Sequence, residues 1–332
     1  MMKKNNIYYN TKIESLLKAY PNSKFFLITD DNLFSLYQNF LTTTFANVDL
    51  SITTIPEGEK AKTIKEYQRV VELLIKAEIR RNDVIVAFGG GVVGDLAGFV
   101  AATILRGVTF INIPTTLLAM VDSALGGKVG INSEAGKNLI GAFKNADKII
   151  VNEQFLKTLP QQELINGYGE IVKAAFISDR TIFSLLTDDQ PSLKLIKKVQ
   201  KVKLALVKSD YFDKNKRQYL NFGHSFAHAI EKESNYQVPH GYAVFQGMEI
   251  ALKIGMVLKI TTPSDLRLLE KYFSLYQIKP YQKPYFKLLK YLKNDKKNTQ
   301  ELTTLILIKE RALIKTMKEV ELDELLSLAS EL

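Results

Sequence analysis

All three histidines of the 332-residue chain fall between positions 224 and 240, in LNFGHSFAHAIEKESNYQVPHG (220–241). His224 and His228 are four apart in a segment of helical periodicity, so they share one face. His240 follows a proline and opens another helical run. Imidazoles gathered in this way suit a divalent metal, or a catalytic base and its partner. The alternative is a polar patch without chemistry, and the confinement of every imidazole to one stretch favours a site. The spacing is neither that of an HExxH zinc helix nor that of a four-cysteine site, so it does not name the metal. A third, anionic ligand is expected, and spacing alone does not choose among the glutamates.

A second candidate is FGGGVVGD (88–95), which follows a strand-like run and opens a helix-like one. Gly89, Gly91 and Gly94 satisfy G-x-G-x-x-G, a pattern whose glycines admit a phosphate to uncapped N–H donors at a helix start. Glycine-rich turns also arise for packing reasons. The pattern departs from the Rossmann fingerprint, because it follows the third predicted strand and no acidic residue lies about 20 positions later. Position 112 is Asn. Ribose-binding carboxylates would come instead from Asp30, Asp31 or Glu59, near strand carboxyl ends. The reading is a dinucleotide site of a non-Rossmann kind. Arg106, Lys128 and Lys137 lie among glycines between 103 and 143, and cations beside donor-rich backbone suit a phosphate-bearing ligand.

The elements that must hold these residues divide the chain in two. Residues 24–30, 48–55, 83–88, 108–113 and 148–152 read as strands, with helices after the first and over 62–79. This alternation predicts an α/β domain with a parallel sheet and helices on both faces. Beyond about 153–160, helical periodicity dominates (161–178, 192–213, 222–233, 240–260, 264–275), and TTLILI (303–308) is the one late strand. Ligands are expected in the cleft between the domains.

Composition narrows the classes. There is no cysteine, which excludes disulfides, thiolate metal sites and cysteine nucleophiles. No signal peptide is read at the N-terminus, and a cytoplasmic protein is expected. Residues 84–105 carry a single charge, Asp95, and are long enough for a membrane span. The three glycines split them, however, into a buried strand, a turn and a helix. The net charge of +10 raises affinity for polyanions, including nucleic acid. The basic stretches 194–203 and 283–297 nevertheless repeat their apolar residues at helical spacing, as solvated amphipathic helices do.

Taken together, GGGVVGDLAGFVAAT, RGV-FI-IPTTLLA-VDS--GGK-GIN, GKN-IGAF, GYGEIVK, LNFGH-F-HAIE and HGYAV resemble the 3-dehydroquinate synthase family, in its order and approximate spacing, from about residue 24 to 310. The resemblance implies the corresponding fold: an α/β domain with a non-Rossmann NAD site over 1–155 and a mainly helical metal- and substrate-binding domain over 156–332. It implies Glu170, His224 and His240 as ligands of zinc or cobalt, with Lys173 facing the same cavity. It implies NAD contacts from Asp30, Glu59, Lys62, Gly90, Gly91, Val92, Asp95, Thr115, Thr116, Asp122, Lys128, Lys137, Phe155 and Thr158. Lys128, Lys173, Lys203 and His228 would be catalytic, and Arg106, Lys137, Asn138, Arg217, Asn221 and Lys296 would bind substrate, with Lys296 preferred over Lys297 in the DKK run. Arg106 would reach the neighbouring subunit of a homodimer. Neither nucleic acid nor a membrane is an expected partner.

Some positions depart from the family pattern. Met120, Ala124, Leu125, Val129, Ser225, Ala227 and Tyr242 replace commoner residues without removing a proposed ligand. The implied reaction converts 3-deoxy-D-arabino-heptulosonate 7-phosphate to 3-dehydroquinate and phosphate, with NAD used and restored. The rivals are a sister cyclase such as 2-deoxy-scyllo-inosose synthase, a metal-dependent alcohol dehydrogenase, and a non-catalytic polyanion binder.

Overall fold

The computed structural model describes residues 6–292 and 302–332. The chain forms two compact units, one ending at Leu159 and the other starting at Pro160.

The first unit contains β1 (Asn6–Tyr9), α1 (Ile13–Leu17), β2 (Phe25–Asp30), α2 (Asp31–Thr44), β3 (Leu50–Ile55), α3 (Ile64–Lys76), β4 (Val84–Gly89), α4 (Gly91–Thr103), β5 (Thr109–Pro114), β6 (Lys128–Ser133), β7 (Gly136–Phe143) and β8 (Lys148–Val151). Six strands make one sheet in the order β1-β8-β5-β4-β2-β3, every pair parallel. Phe25 to Ile28 and Val84 to Phe88 are almost wholly buried. Continuous apolar runs of this kind belong to strands covered on both faces. With this strand order, the right-handed crossovers that parallel strands favour would put α2 on one face and α3 with α4 on the other.

The strand order reverses at β2 and β4, since the chain leaves β2 outward to β3 and returns to β4 on its other side. Open α/β sheets bind ligands at the carboxyl ends of strands at such a point. Asp30 ends β2 and the glycine turn ends β4, so both flank it.

The second unit contains α5 (Gln161–Ile177), α6 (Leu193–Ser209), α7 (His224–Glu233), α8 (His240–Val257), α9 (Pro263–Leu275), α10 (Leu289–Leu292), β9 (Leu302–Lys309), β10 (Arg311–Lys318) and α11 (Glu319–Ser330). Helix α8 packs against α5, α7, α9 and α11, and every residue of α5 from Leu164 to Ile177 is buried.

Several expectations need correction. The edge strand β1 was not expected, so the glycine turn follows the fourth strand rather than the third. Residues 128–143, where no strand was read, form the antiparallel hairpin β6–β7, and TTLILI has a partner in β10. In the described part of 283–297, a long amphipathic helix is replaced by a single 3-10 turn, Tyr285–Leu288, and the short α10. Prolines at 280 and 284 keep earlier residues out of a helix. Residues 84–105 are β4, the turn and α4, and no helix among the described residues is long and apolar enough to cross a membrane.

Candidate metal centre and nucleotide pocket

Glu170 lies in the buried middle of α5, His224 is the first residue of α7 and His240 the first of α8. One ligand atom from each lies within 4.8 Å of the others. His224 Nε2 is 3.3 Å and His240 Nε2 3.4 Å from Glu170 Oε1. Those edges suit a tetrahedral site with metal–nitrogen bonds of about 2.0–2.1 Å.

The outer ring nitrogens are engaged elsewhere. His224 Nδ1 is 3.3 Å from the Phe222 carbonyl oxygen, and His240 Nδ1 is 3.5 Å from Glu231 Oε1. Partners at Nδ1 leave the Nε2 lone pairs for a metal and fix the ring orientation. Lys173 forms an ion pair with Glu170 from the next turn of α5.

The electrostatics also suit a cation. Burial raises the Glu170 carboxyl, but the Lys173 ammonium and then His224 outweigh it and hold the group well below the usual carboxylate range. Burial, with help from Lys173, lowers His224. At His240 burial is overcome by hydrogen bonds to Glu170 and Glu231, which push the imidazole up to about 10. Glu170 therefore stays an anion, and positive charge is stabilised at His240. The donor set fits a divalent metal.

Glycines allow the three helices to meet this closely. A Cβ at Gly241 would overlap the backbone of Asn166 on α5, and a Cβ at Gly247 would overlap the carbonyl oxygen of Gly223. Each contact lies beside a ligand: Gly241 follows His240, and Gly223 precedes His224. Gly247→Ala is expected to cost on the order of 3 kcal/mol through overpacking, with a lower melting temperature and weaker metal retention. Unchanged melting and metal content would show that this approach does not position His224.

His228, a turn beyond His224 on α7, is exposed, with its ring centroid 5.5 Å from that of His224. It stands beside the ligand cluster and is not in it. Lys203 on α6 and Arg217 in the 3-10 turn Lys216–Asn221 are both buried, and Asn221 ends that turn. Lys296 lies outside the described residues. Sequence reasoning missed Glu231, although it falls seven residues after His224 on the same helical face.

In the first unit, α4 opens at Gly90 with no side-chain cap and no acidic residue in its first turn. Its first N–H groups and its positive dipole end are available to an anion. Gly90 packs on Thr116 and Gly91 on Ser123. The hydroxyls of Thr29, Thr115 and Ser123 are buried without hydrogen-bond partners. Thr29 lies in β2 and Thr115 directly follows β5, on either side of β4. Orphaned buried hydroxyls cost free energy unless a ligand satisfies them. An uncapped helix start and unpartnered hydroxyls beside it fit a dinucleotide.

The expected nucleotide residues are only partly gathered. Lys62 Nζ donates to Asp95 Oδ2 at 2.6 Å and to Asn138 Oδ1 at 2.5 Å, tying β7 to α4. Asn132 donates to Glu59 at 2.7 Å. Asp30 caps α2 by accepting from Leu33 N, and burial raises its carboxyl. Phe155 is buried in an aromatic cluster with Tyr37, Phe40 and Phe88, and Thr158 Oγ1 is 2.6 Å from the Tyr37 hydroxyl. Val92 sits in the first turn of α4, and Asp122 in a π-helical turn, Ala119–Ser123. Lys128 is exposed at the start of β6, and Lys137 is half-buried on β7.

A parallel-sheet unit and a helical unit holding a His–His–Glu cluster define a class of folds. The fold is that of 2-epi-5-epi-valiolone synthase from Streptomyces hygroscopicus subsp. jinggangensis, solved with NAD+ and Zn2+ (TM-score 0.90, 22% identity, 100% of this chain and 98% of that one). It is equally that of a 2-deoxy-scyllo-inosose synthase solved with carbaglucose-6-phosphate, NAD+ and Co2+ (TM-score 0.88, 22% identity, 97% and 96%). Residues 42–166 match the 3-dehydroquinate synthase N-terminal family and 167–298 the 3-dehydroquinate synthase C-terminal family. The 3-dehydroquinate synthase of Clostridium tetani is 35% identical over 98% of this chain and 91% of its own length. The chain belongs to the 3-dehydroquinate synthase family.

Proposed function

We propose that this protein converts 3-deoxy-D-arabino-heptulosonate 7-phosphate to 3-dehydroquinate and inorganic phosphate in the cytoplasm, as a step toward the aromatic amino acids. The observation that carries this reading is the buried Glu170–His224–His240 cluster with Lys173 against it, in a chain of this family. Glu170, His224 and His240 would hold zinc or cobalt, and the glycine turn with Asp30, Glu59, Lys62, Asp95, Thr115, Thr116 and Asp122 would hold NAD. Bound there, NAD would supply reversible hydride transfer and the metal Lewis acidity.

The side chains supply the rest. Buried cations are costly unless they meet an anion. Lys203 and Arg217, both buried in the helical unit, would bind the substrate's carboxylate and the oxyanions that develop during reaction. Lys128, Asn138 and His228 would hold the phosphate, with Lys137 and Arg106 as further cations and Asn221 as a donor. The proton lost from carbon would go to the phosphate's own oxygen or to a side chain of the site. A planar guanidinium at 217 suits a carboxylate. That favours the heptulosonate over glucose 6-phosphate, the substrate of a sister cyclase.

Substrate and products contain the same atoms, so the conversion involves no net oxidation. With protein, NAD, a divalent metal and the heptulosonate phosphate mixed, phosphate and dehydroquinate should appear in equal amounts. The near-ultraviolet absorbance of NADH should not climb with product. Stoichiometric NADH would support an alcohol dehydrogenase instead, and turnover of glucose 6-phosphate alone would support the sister cyclase.

A further inference from the structure

The cations assigned above to the substrate's anionic groups sit on either side of a short connection. Lys203 is on α6, Arg217 is in the turn Lys216–Asn221, and residues 210–215 join the two. This connection has little core of its own. Phe212 is 63% exposed, and Lys214, Asn215 and Lys216 face solvent. Its backbone is also unusual, with Asp213 at φ 60° and Asn215 at φ −141°, ψ −112°. Arg217 is nevertheless only 3% exposed. Something other than apolar packing must hold this segment.

Asp210, the first residue of the connection, does so. Its Oδ1 accepts the Lys214 N–H at 3.0 Å, and its Oδ2 accepts the Asn215 N–H at 2.6 Å and the Arg217 N–H at 3.2 Å. The Asp210 carbonyl oxygen accepts from Asp213 N, and its own N–H donates to the Leu206 carbonyl oxygen, fixing the carboxylate to the end of α6. Arg217 Nη1 returns to the Tyr211 carbonyl oxygen at 2.5 Å. Both the backbone and the guanidinium of Arg217 are thus bound into a loop closed by one carboxylate. The N–H donors, Lys214 first, hold the Asp210 carboxyl below its usual range, so it remains an acceptor at neutral pH.

We propose that Asp210 is a positioning residue for substrate binding: it folds residues 210–217 so that the Arg217 guanidinium is held in place for a substrate anion. Asp210 acts through Arg217 and touches no reacting atom. An alanine there leaves three donors to water, and Asn offers a single oxygen where the carboxylate uses two. The proposal rests on the functional reading above, and its test has one arm that does not.

The substrate-free arm is hydrogen exchange. In Asp210→Ala the amides of Lys214, Asn215 and Arg217 should exchange at least about tenfold faster, with bound metal and NAD unchanged. The kinetic arm uses the metal- and NAD-loaded enzyme. Displacing a binding group should raise KM for the heptulosonate phosphate by about ten- to a hundredfold, with kcat changed far less. Asp210→Asn should fall between wild type and Ala. Combining Asp210→Ala with Arg217→Ala should be no worse than Arg217→Ala alone, because both remove one function.

Lys214→Ala keeps its backbone N–H and should behave as wild type. An unchanged KM in Asp210→Ala, additivity in the double variant, or an equal loss in Lys214→Ala would overturn the proposal. A wild-type protein inactive on this substrate would fail the functional reading, and the exchange data would still decide whether Asp210 orders the loop.

Discussion

His240→Ala, and separately His224→Ala, should leave the purified protein nearly free of bound zinc or cobalt, and turnover should fall by a thousandfold or more. Each substitution would remove one of the three proposed protein ligands, and Lewis-acid stabilisation is worth several kcal/mol at about 1.4 kcal/mol per tenfold in rate. The two helices start where their histidines are, so an alanine there breaks no helical hydrogen bond, and folding should survive. Glu231→Gln, which changes the partner of His240 Nδ1, should weaken metal binding by about ten- to a hundredfold. Metal analysis beside circular dichroism decides the matter. Full metal content with full activity in both histidine variants would remove the assignment.

The histidines were legible because every imidazole falls in one stretch, and four-residue spacing puts two on a face. Glu170 was not legible from spacing, because it comes from α5, far back in the chain. Only the packing of α5 and α7 on α8 brings it to the histidines. The central strands were read closely because strands covered on both faces are continuous apolar runs. β1 was missed because it is a four-residue edge strand with a single partner.

The β6–β7 hairpin was missed for a different reason. Gly130, Gly136 and Gly141 look like loop residues in sequence, yet a Cβ at Gly130 or Gly141 would overlap the opposite strand's carbonyl oxygen. Those two glycines mark close pairing of the strands. No sequence signal pointed to Asp210, because a carboxylate collecting three nearby amides resembles any surface aspartate until the loop is closed.

Arg106→Ala should keep its metal and NAD yet lose turnover, because the removed charged contact is worth roughly 2–5 kcal/mol. Leu105 and Arg106 have φ of 49° and 66°, a left-handed pair costing about 1–2 kcal/mol per residue outside glycine. Hydrogen bonds from Gly107 N to the Ile104 carbonyl and from Val108 N to the Ala101 carbonyl hold the turn. Both side chains are exposed, and β7 of the same unit also exposes Leu139, Ile140 and Phe143. An exposed arginine and exposed apolar side chains in one unit suit a subunit interface, and we propose a homodimer in which Arg106 completes the neighbour's site. Lys128→Ala should also be inactive, since Lys128 is the proposed phosphate contact in its own subunit. Mixed with Arg106→Ala, it should form hybrid dimers in which one of the two sites has both residues sound. With free subunit exchange, activity should return to about a quarter of wild type, since half the dimers are hybrids with one working site each in an isologous dimer. Differentially tagged hybrids that form and stay inactive would place Arg106 in the site of its own chain.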